Sequence, residues 1–478
     1  MTYKLIKKYP EPGRLIEALS QIGYDLEDAL SDLIDNAINA NATEILIRFW
    51  HDGESLNSIS IKDNGCGMNA PELANAMTFG SKEDLRETSL GKFGMGLKLA
   101  SLSHCECFSV ISKKGNRLNA LKWDSRNIAA GWFCEKEETI SVRNFLQEKF
   151  NDSPLEKGTL VHWENLVNFP DHKRGVRSAL GIIERKLKYH LGLVFHRFIE
   201  AGKLKIYMDQ QKEGANIHPH RVCLSALNPF AYPESGHPDF PKKFRSGKLS
   251  NGEVISMEAH IWPPKSDADE YKLGKRAASH QGFYIYRNGR LIQQGGWNGL
   301  VADDSEPHSS LARVCIDLPR KFDALFKLNV QKSAVITPLG FQEAVNEATS
   351  ISGMKFDDYR RIAIETYRKH SASDELRNYS MGSDFPSAIS KYSDEGHPLE
   401  IIIKRSELPI SYDKDSHSLI LSRDFANDYY FKKDMHCRLF FFMLYELLKQ
   451  EKSKVKLSHQ KAEVLEKINE IIIKNTNL

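Results

Sequence analysis

Apolar residues recur at three- and four-residue steps through Leu26, Leu30, Leu33, Ile34, Ala37 and Ile38, which predicts an amphipathic helix beginning at residue 25. Its polar stripe carries Asp28, Asp32, Asp35, Asn36 and Asn39. Asp32 and Asn36 are four apart, so they project from one face, a turn from each other. Asn-Ala-Asn-Ala ends the helix, and residues 44–50 (EILIRFW) alternate as a strand. Residues 57–62 (NSISIK) form a second strand that enters Asp63-Asn64-Gly65-Cys66-Gly67, a turn by its glycines. Pro71 suits the first turn of a short helix through Met77. Residues 79–89 are polar and unpatterned, a loop able to act as a lid. Residues 91–103 begin with glycines and turn apolar, as expected of a helix with an open N-terminus. Strands follow at 107–112, 117–123 and 159–163. Ahead of all this, residues 1–23 read as an arm broken by Pro10 and Pro12-Gly13, with a short helical stretch at 15–22.

Residues 176–199 are amphipathic and helical (Leu180, Ile183, Leu187, Leu191, Val194, Phe195) and read as a hinge between domains. Beyond them, 203–208, 253–261 and 282–286 are strand-like, and Arg287-Asn288-Gly289-Arg290 is a hairpin turn before a strand at 291–294. Another strand lies at 313–318, and residues 340–367 are helical. Residues 375–398 are polar and turn-rich, with SMGSDFPS inside them, and read as a linker. The last unit opens with strands at 399–404 and 418–421 and ends in helices from 437 to 473. The expected division is therefore 1–172, a connecting helix at 173–202, a second domain at 203–370, a linker at 371–398 and a C-terminal α+β/helical region at 399–478.

Composition changes this picture little. A chain of 478 residues is too long for one ordinary core, and 41% hydrophobic with 27% charged residues is the balance of a soluble globular protein. The net charge of +3 argues neither for nor against nucleic acid. Two local runs are basic, residues 241–248 (PKKFRSGK) and 272–276 (KLGKR); each alone reads as a solvated loop, though such runs also meet phosphates. The seven cysteines are scattered, without paired CxxC spacing, so reduced thiols in a cytoplasmic compartment are expected. The N-terminal MTYKLIKKYPEPGR lacks the apolar run of a signal peptide, and no stretch approaches the roughly 20 apolar residues that span a bilayer.

The chemistry lies between residues 31 and 100. A glycine-rich loop opening a helix presents backbone N–H groups to an anion, and Gly91, Gly94 and Gly96 give close approach while Lys92 adds a point charge. An aspartate leading into Gly-x-Gly can accept a hydrogen bond from an adenine amino group, and Asp63 holds that place. An asparagine beside a triphosphate can supply an oxygen to Mg²⁺, as Asn36 would. A carboxylate one turn earlier, Asp32, can polarise the attacking water of phosphoryl transfer. Taken singly, each feature is equally an ordinary turn or helix end.

Their order and spacing resemble the GHKL ATPase superfamily of gyrase, the ninety-kilodalton heat-shock chaperone, histidine kinases and MutL. SDLIDNA resembles its N-box, DNGCGM its adenine-site box and GKFGMG its phosphate-lid box; Gly158-Thr159 in GTLVHW looks like the fourth motif. The resemblance covers residues 25–165 and implies an α/β fold: a two-layer α/β sandwich (Bergerat ATP-binding fold), followed by an α+β transducer domain and a mixed, helix-rich C-terminal region. It implies that ATP is held by Asn36, Asp63, Gly65, Gly67, Met68, Gly91, Lys92, Phe93, Gly94, Met95, Gly96, Leu97 and Thr159, with Mg²⁺ on Asn36 and Asp32 as the catalytic base. ATPase branches usually carry glutamate where this chain has Asp32; the shorter side chain puts the turnover rate, not ATP binding, in question. Asp35 then stands as a structural group, and Asp28 as a helix-end carboxylate.

Beyond the pocket the pattern is similar to the MORC-like and MutL-like branches. GFYIYRNGRLI resembles their central hairpin, and KLNVQKSAV the segment that delivers a lysine to the γ-phosphate, with Lys332 the first choice and Lys327 the second. In that family the arms exchange and the ATPase domains dimerise on ATP. The expectation is a slow Mg-dependent ATPase acting as a dimerisation switch on DNA, in repair, restriction or phage defence, with the basic runs as the DNA contact. A protein partner and chaperone-like remodelling, histidine-kinase phosphotransfer and a non-catalytic ATP-binding scaffold are the alternatives. Histidine kinases place the ATP domain last, after a helical hairpin; here it comes first.

Overall fold

The computed structural model describes residues 11–20, 24–80, 95–167, 169, 175–215, 219–232, 237–264, 266–274, 277–301, 306–323, 325–328, 335–380, 400–404, 408–413, 418–422 and 465–469. The phosphate-lid glycines Gly91 and Gly94, with Lys92 and Phe93, most of the expected lid, Lys332, most of the C-terminal helices and the first ten residues of the arm lie outside them. The chain forms two compact units that divide after Tyr367.

The first unit is built on two sheets. Strands β1 (Glu44–His51), β2 (Leu56–Asp63), β3 (Cys105–Lys114), β4 (Arg117–Asp124), β5 (Glu135–Lys136), β6 (Gly158–Leu166), β7 (Lys205–Lys212) and β8 (Val222–Cys223) make an eight-stranded sheet in the order β5-β4-β3-β6-β2-β1-β7-β8. All pairs are antiparallel except β1 with β7. One face carries helices α1 (Pro12–Ser20), α2 (Leu26–Asn39), α3 (Ala70–Met77), α4 (Gly96–Leu102), α5 (Ser125–Gly131) and α7 (Val176–Val194), which share one core with Ile45, Ile47, Phe49, Ile59 and Val110. On the other face, α6 (Thr139–Lys149) lies over Trp50, Ile111, Phe150 and Leu160. There the buried Arg48 forks to Asp209 at 2.7 Å and Asp152 at 2.6 Å, so β1 is covered on both sides rather than half-exposed.

Two expectations shift here. The strand expected to open the second domain, at 203–208, is β7, which pairs with β1 from Glu44–Lys205 to His51–Lys212. The first sheet therefore runs past residue 202. Leu180, Leu187, Leu191 and Val194 of the expected connecting helix are buried in the first core, making α7 the crossover that a parallel β1–β7 pair requires. Alternation in a short segment cannot say which sheet a strand joins.

The second sheet has the order β12-β11-β13-β10-β9-β16, from β9 (Lys242–Lys248), β10 (Val254–Ile261), β11 (Gly282–Arg287), β12 (Arg290–Gln294), β13 (Ala312–Asp317) and β16 (Thr349–Ser350). A short pair, β14 (Lys327–Leu328) and β15 (Val335–Ile336), stands beside it in sequence. The hairpin turn is as expected: Asn288 and Gly289 have φ of 49° and 81°, the left-handed pair that joins two-residue hairpins. The run 241–248 is not a loop. Phe244 and Ser246 are buried while Lys243 and Arg245 are exposed, so charge hid a half-buried strand. Helices α8 (Asp269–Lys272), α9 (Phe341–Asn346) and α10 (Phe356–Ser380) complete this region, with Phe341, Phe356 and Tyr359 closing the core over Phe244 and Phe283.

In the second unit, β17 (Glu400–Lys404) and β18 (Ile410–Asp413) flank β19 (Ser418–Ser422). The buried Asn469 amide donates to Ile410 O at 2.6 Å and accepts from Ile410 N at 2.9 Å, as a neighbouring strand would.

Candidate functional site

The site begins at the C-terminal end of α2. Asp25 takes an extended conformation ahead of the helix, and Glu27 and Asp28 sit in the first turn, where the helix dipole favours carboxylates. Ala29, Leu30, Leu33, Ile34 and Ala37 face the core. Asp32 is buried and Asn36 exposed, one turn on. The helix stops at Asn41, whose φ of 55° is the left-handed stop that asparagine tolerates.

That stop docks the adenine-site turn. Cys66 N donates to Ala40 O at 2.9 Å, and the Asn64 side-chain oxygen accepts from Thr43 N (2.8 Å) and Glu44 N (3.0 Å). Asp63 ends β2, and its Oδ1 accepts from Gly65 N at 2.7 Å and Thr159 N at 3.3 Å. No donor among the described residues engages Oδ2. Burial pushes the Asp63 carboxyl up to about 6, against the lowering effect of those two N–H groups.

Two glycines make this closeness possible. A Cβ on Gly158 (φ 104°) would lie 2.2 Å from Asp63 O, and one on Gly67 (φ 66°) would lie 2.1 Å from Lys113 O. Any side chain at either position would force the turn away from β3 and β6.

The geometry also supplies a residue that motif reading missed. Ser112, fully buried on β3, shares a hydrogen bond with Thr159 Oγ1 (2.9 Å) and accepts from Met68 N (2.8 Å). It lies opposite Thr159 in the β3–β6 register and ties the adenine-site turn to the fourth motif. The only sequence signal was a serine inside an apolar strand.

Of the expected helix at 91–103, residues 91–94 lie outside the described residues, and α4 spans Gly96–Leu102. Met95, Gly96 and Leu97 are half-buried, and a Cβ on Gly96 would lie 3.1 Å from Asp32 Oδ2, so α4 starts against the candidate base. Lys98 turns away and donates to Ala76 O at 2.9 Å. Asn69 and Glu72 form a capping box at the start of α3, with Pro71 in its first turn as expected. Phe79 packs edge-on to Trp123 and Trp132 at 5.7 and 5.2 Å, which anchors the chain where the expected lid begins.

Behind α2, Tyr24 Oη donates to Asp32 Oδ2 at 2.6 Å, and Arg290 of β12 donates to Asp35 Oδ1 at 2.9 Å. Asp28 lies 3.5 Å from His190 Nε2 beside a cavity of about 500 Å³ between α2, α7 and β12. Burial raises the Asp28 carboxyl to about 6, with Arg290 pulling it back down. The structure thus brings Asp32, Asn36, Asp63, Gly65, Gly67, Met68, Met95, Gly96, Leu97 and Thr159 into two connected walls, α2 with α4 and the β2 turn with β6. Lys327 falls on β14.

Residues 24–152 match the family of histidine kinase-, DNA gyrase B- and HSP90-like ATPases. Residues 24–152 are thus similar to that ATPase family. The domain's residues 31–100 carry the acidic helix, the adenine-site turn and the glycine-led helix described above. The chain is 36% identical over 98 residues to the ATPase MORC2B of Mus musculus, covering 20% of this chain and 10% of that protein. It is 22% identical over 235 residues to the DNA mismatch repair protein MutL of Thermus thermophilus, covering 48% of this chain and 40% of that protein. The matched region is thus less than half the length of either relative. Among solved structures, the N-terminal domain of a DNA repair protein superposes with a TM-score of 0.43 and 16% identity, over 75% of this chain and 99% of that one. No helix among the described residues is long and apolar enough to cross a membrane.

Proposed function

We propose that the chain is a slow, Mg-dependent ATPase whose nucleotide cycle drives a dimerising conformational switch on DNA, in repair, restriction or phage defence. The observation that carries this reading is the placement of Asp32 and Asn36 one turn apart on α2, with Asp32 against the first residue of α4. Asp32 accepts the proton of the attacking water, and the Asp63 carboxylate accepts the adenine amino hydrogen through Oδ2. The Asn36 side chain is exposed and offers an amide oxygen, a donor that suits Mg²⁺; when bound, the ion neutralises phosphate charge. Lys332 is the lysine delivered to the γ-phosphate when the second sheet closes. The likeness to a MutL described as a DNA mismatch repair protein supports DNA as the target, as do the exposed Lys243 and Arg245.

Steady-state phosphate release by the full chain tests the catalytic part, with Asp32→Asn and Asn36→Ala beside it. The expected result is slow release that both substitutions abolish. Equal rates in all three would leave an ATP-binding scaffold, a reading favoured by the shorter side chain of Asp32. Gel filtration with and without a non-hydrolysable ATP analogue tests the switch, and an unchanged elution volume would remove it.

A further inference from the structure

A buried tyrosine hydroxyl must find an acceptor, and any backbone carbonyl would serve. Tyr24 instead donates to the one carboxylate placed to act as base, Asp32 Oδ2, at 2.6 Å, the short distance of a charge-assisted bond. Both residues are buried, with 6% of Tyr24 and 1% of Asp32 exposed. The chain makes this contact deliberately awkward in sequence. Tyr24 precedes α2, the extended Asp25 turns the chain back, and the hydroxyl reaches a residue eight positions on, two turns into the helix. Gly96 at the start of α4 lets the helix approach the same oxygen, to which a side chain there would come within 3.1 Å.

One more methylene at position 32 would push the carboxylate past its 2.6 Å contact with the Tyr24 hydroxyl. We infer that Tyr24 is a positioning residue for ATP hydrolysis, and that the Tyr24–Asp32 pair together fills the place that a glutamate alone would occupy. This rests on the ATPase reading above. In the step served, the water oxygen bonds to the γ-phosphorus as the bond to the bridging oxygen breaks, and ADP departs with that electron pair. The water proton passes to Asp32. Tyr24 keeps its own proton, because burial and then the negative charge of Asp32 hold the phenol above its ordinary range. Its part is to fix one carboxylate oxygen so that the carboxylate plane faces the water.

The test measures phosphate release, binding of a fluorescent ATP analogue and thermal unfolding for the full-length wild type, Tyr24→Phe, Asp32→Asn, Asp32→Glu and the double variant Tyr24→Phe/Asp32→Glu. Tyr24→Phe keeps the ring and removes only the hydroxyl. It is expected to lower kcat about tenfold, the loss of one charge-assisted hydrogen bond, with KM and nucleotide binding unchanged; the buried carboxylate that loses this bond also lowers the unfolding temperature, so kcat is compared where every variant is still fully folded. The double variant is expected to regain kcat over Tyr24→Phe, because the space vacated by the hydroxyl admits the longer carboxylate, whereas Asp32→Glu alone gains nothing. Wild-type kcat in Tyr24→Phe, or a loss that only follows weakened binding or folding, would overturn the inference. A wild type no faster than Asp32→Asn would instead overturn the ATPase reading on which it stands.

Discussion

Arg290 and Asp35 form an ion pair at 2.9 Å with side chains 2% and 0% exposed, joining the hairpin of the second sheet to the helix that carries Asn36. Asp35 is thus the structural residue expected from its place in the helix, but its partner lies 255 positions away. Asp35 lies one residue before the proposed Mg²⁺ ligand, so the pair ties β12 to the stretch of α2 that carries it.

Breaking that pair should be costly. Arg290→Met leaves a buried carboxylate without its guanidinium and is expected to lower unfolding free energy by roughly 3–5 kcal/mol. Asp35→Leu combined with Arg290→Met should recover most of that loss, since an apolar pair replaces two buried charges. Urea denaturation of the three proteins checks this. If the double variant is also uncoupled, it should bind ATP yet fail to pass the change to the second sheet, seen as loss of nucleotide-dependent protease protection of residues beyond 242.

The Asp63 carboxyl, raised to about 6 by burial, ties nucleotide affinity to pH. Only its ionised form accepts the adenine amino hydrogen through an unprotonated oxygen, so affinity should rise as pH climbs from 5 to 7. Stability of the empty protein should move the other way. The folded state holds a proton that the unfolded chain, with an ordinary carboxyl, has already released, so between about pH 4 and pH 6 folding weakens as pH rises. Asp28, also raised to about 6, adds to the same slope. Calorimetric titration with adenosine, which has no phosphate to titrate, alongside pH-dependent unfolding, checks both signs. Asp63→Asn should flatten the affinity profile and leave only the Asp28 part of the stability slope.

Strand β9 predicts opposite outcomes for adjacent residues. Lys243→Glu with Arg245→Glu changes two exposed side chains and is expected to weaken DNA binding in the presence of ATP while leaving stability within about 0.5 kcal/mol. The salt dependence of binding should become shallower by about one unit of slope per lost phosphate contact. Phe244→Ala, between them in sequence but fully buried, should cost about 3–5 kcal/mol of stability. Fluorescence anisotropy at several salt concentrations and urea denaturation separate the effects, and unchanged DNA affinity in the charge-reversed protein would remove this strand from the interface.

Local chemistry made much of the site legible. A helix whose apolar stripe repeats at three and four residues must turn Asp32 and Asn36 to one side, and Asn-Gly between alternating segments must close a hairpin, whatever the rest of the chain does. The adenine-site turn, the capped start of α3 and most strands of both sheets follow from the same short-range rules. What those rules omit is anything that depends on a distant partner. Ser112 became part of the site only through its register with Thr159, and β7 joined the first sheet only because α7 carries the chain back to β1. The charge of residues 242–248 concealed a strand because a two-residue period with one buried face shows itself only when the face has something to cover it. Tyr24 and Arg290 had no motif to announce them, since their roles rest on hydroxyl and guanidinium groups reaching α2 from outside it. Sequence periodicity by itself determined most of the elements, and the order of their polar and glycine-rich interruptions carried the resemblance that marks the nucleotide motifs. Tertiary packing decided which buried polar groups meet, because a hydrogen bond inside a core depends on positions in space that no local repeat encodes.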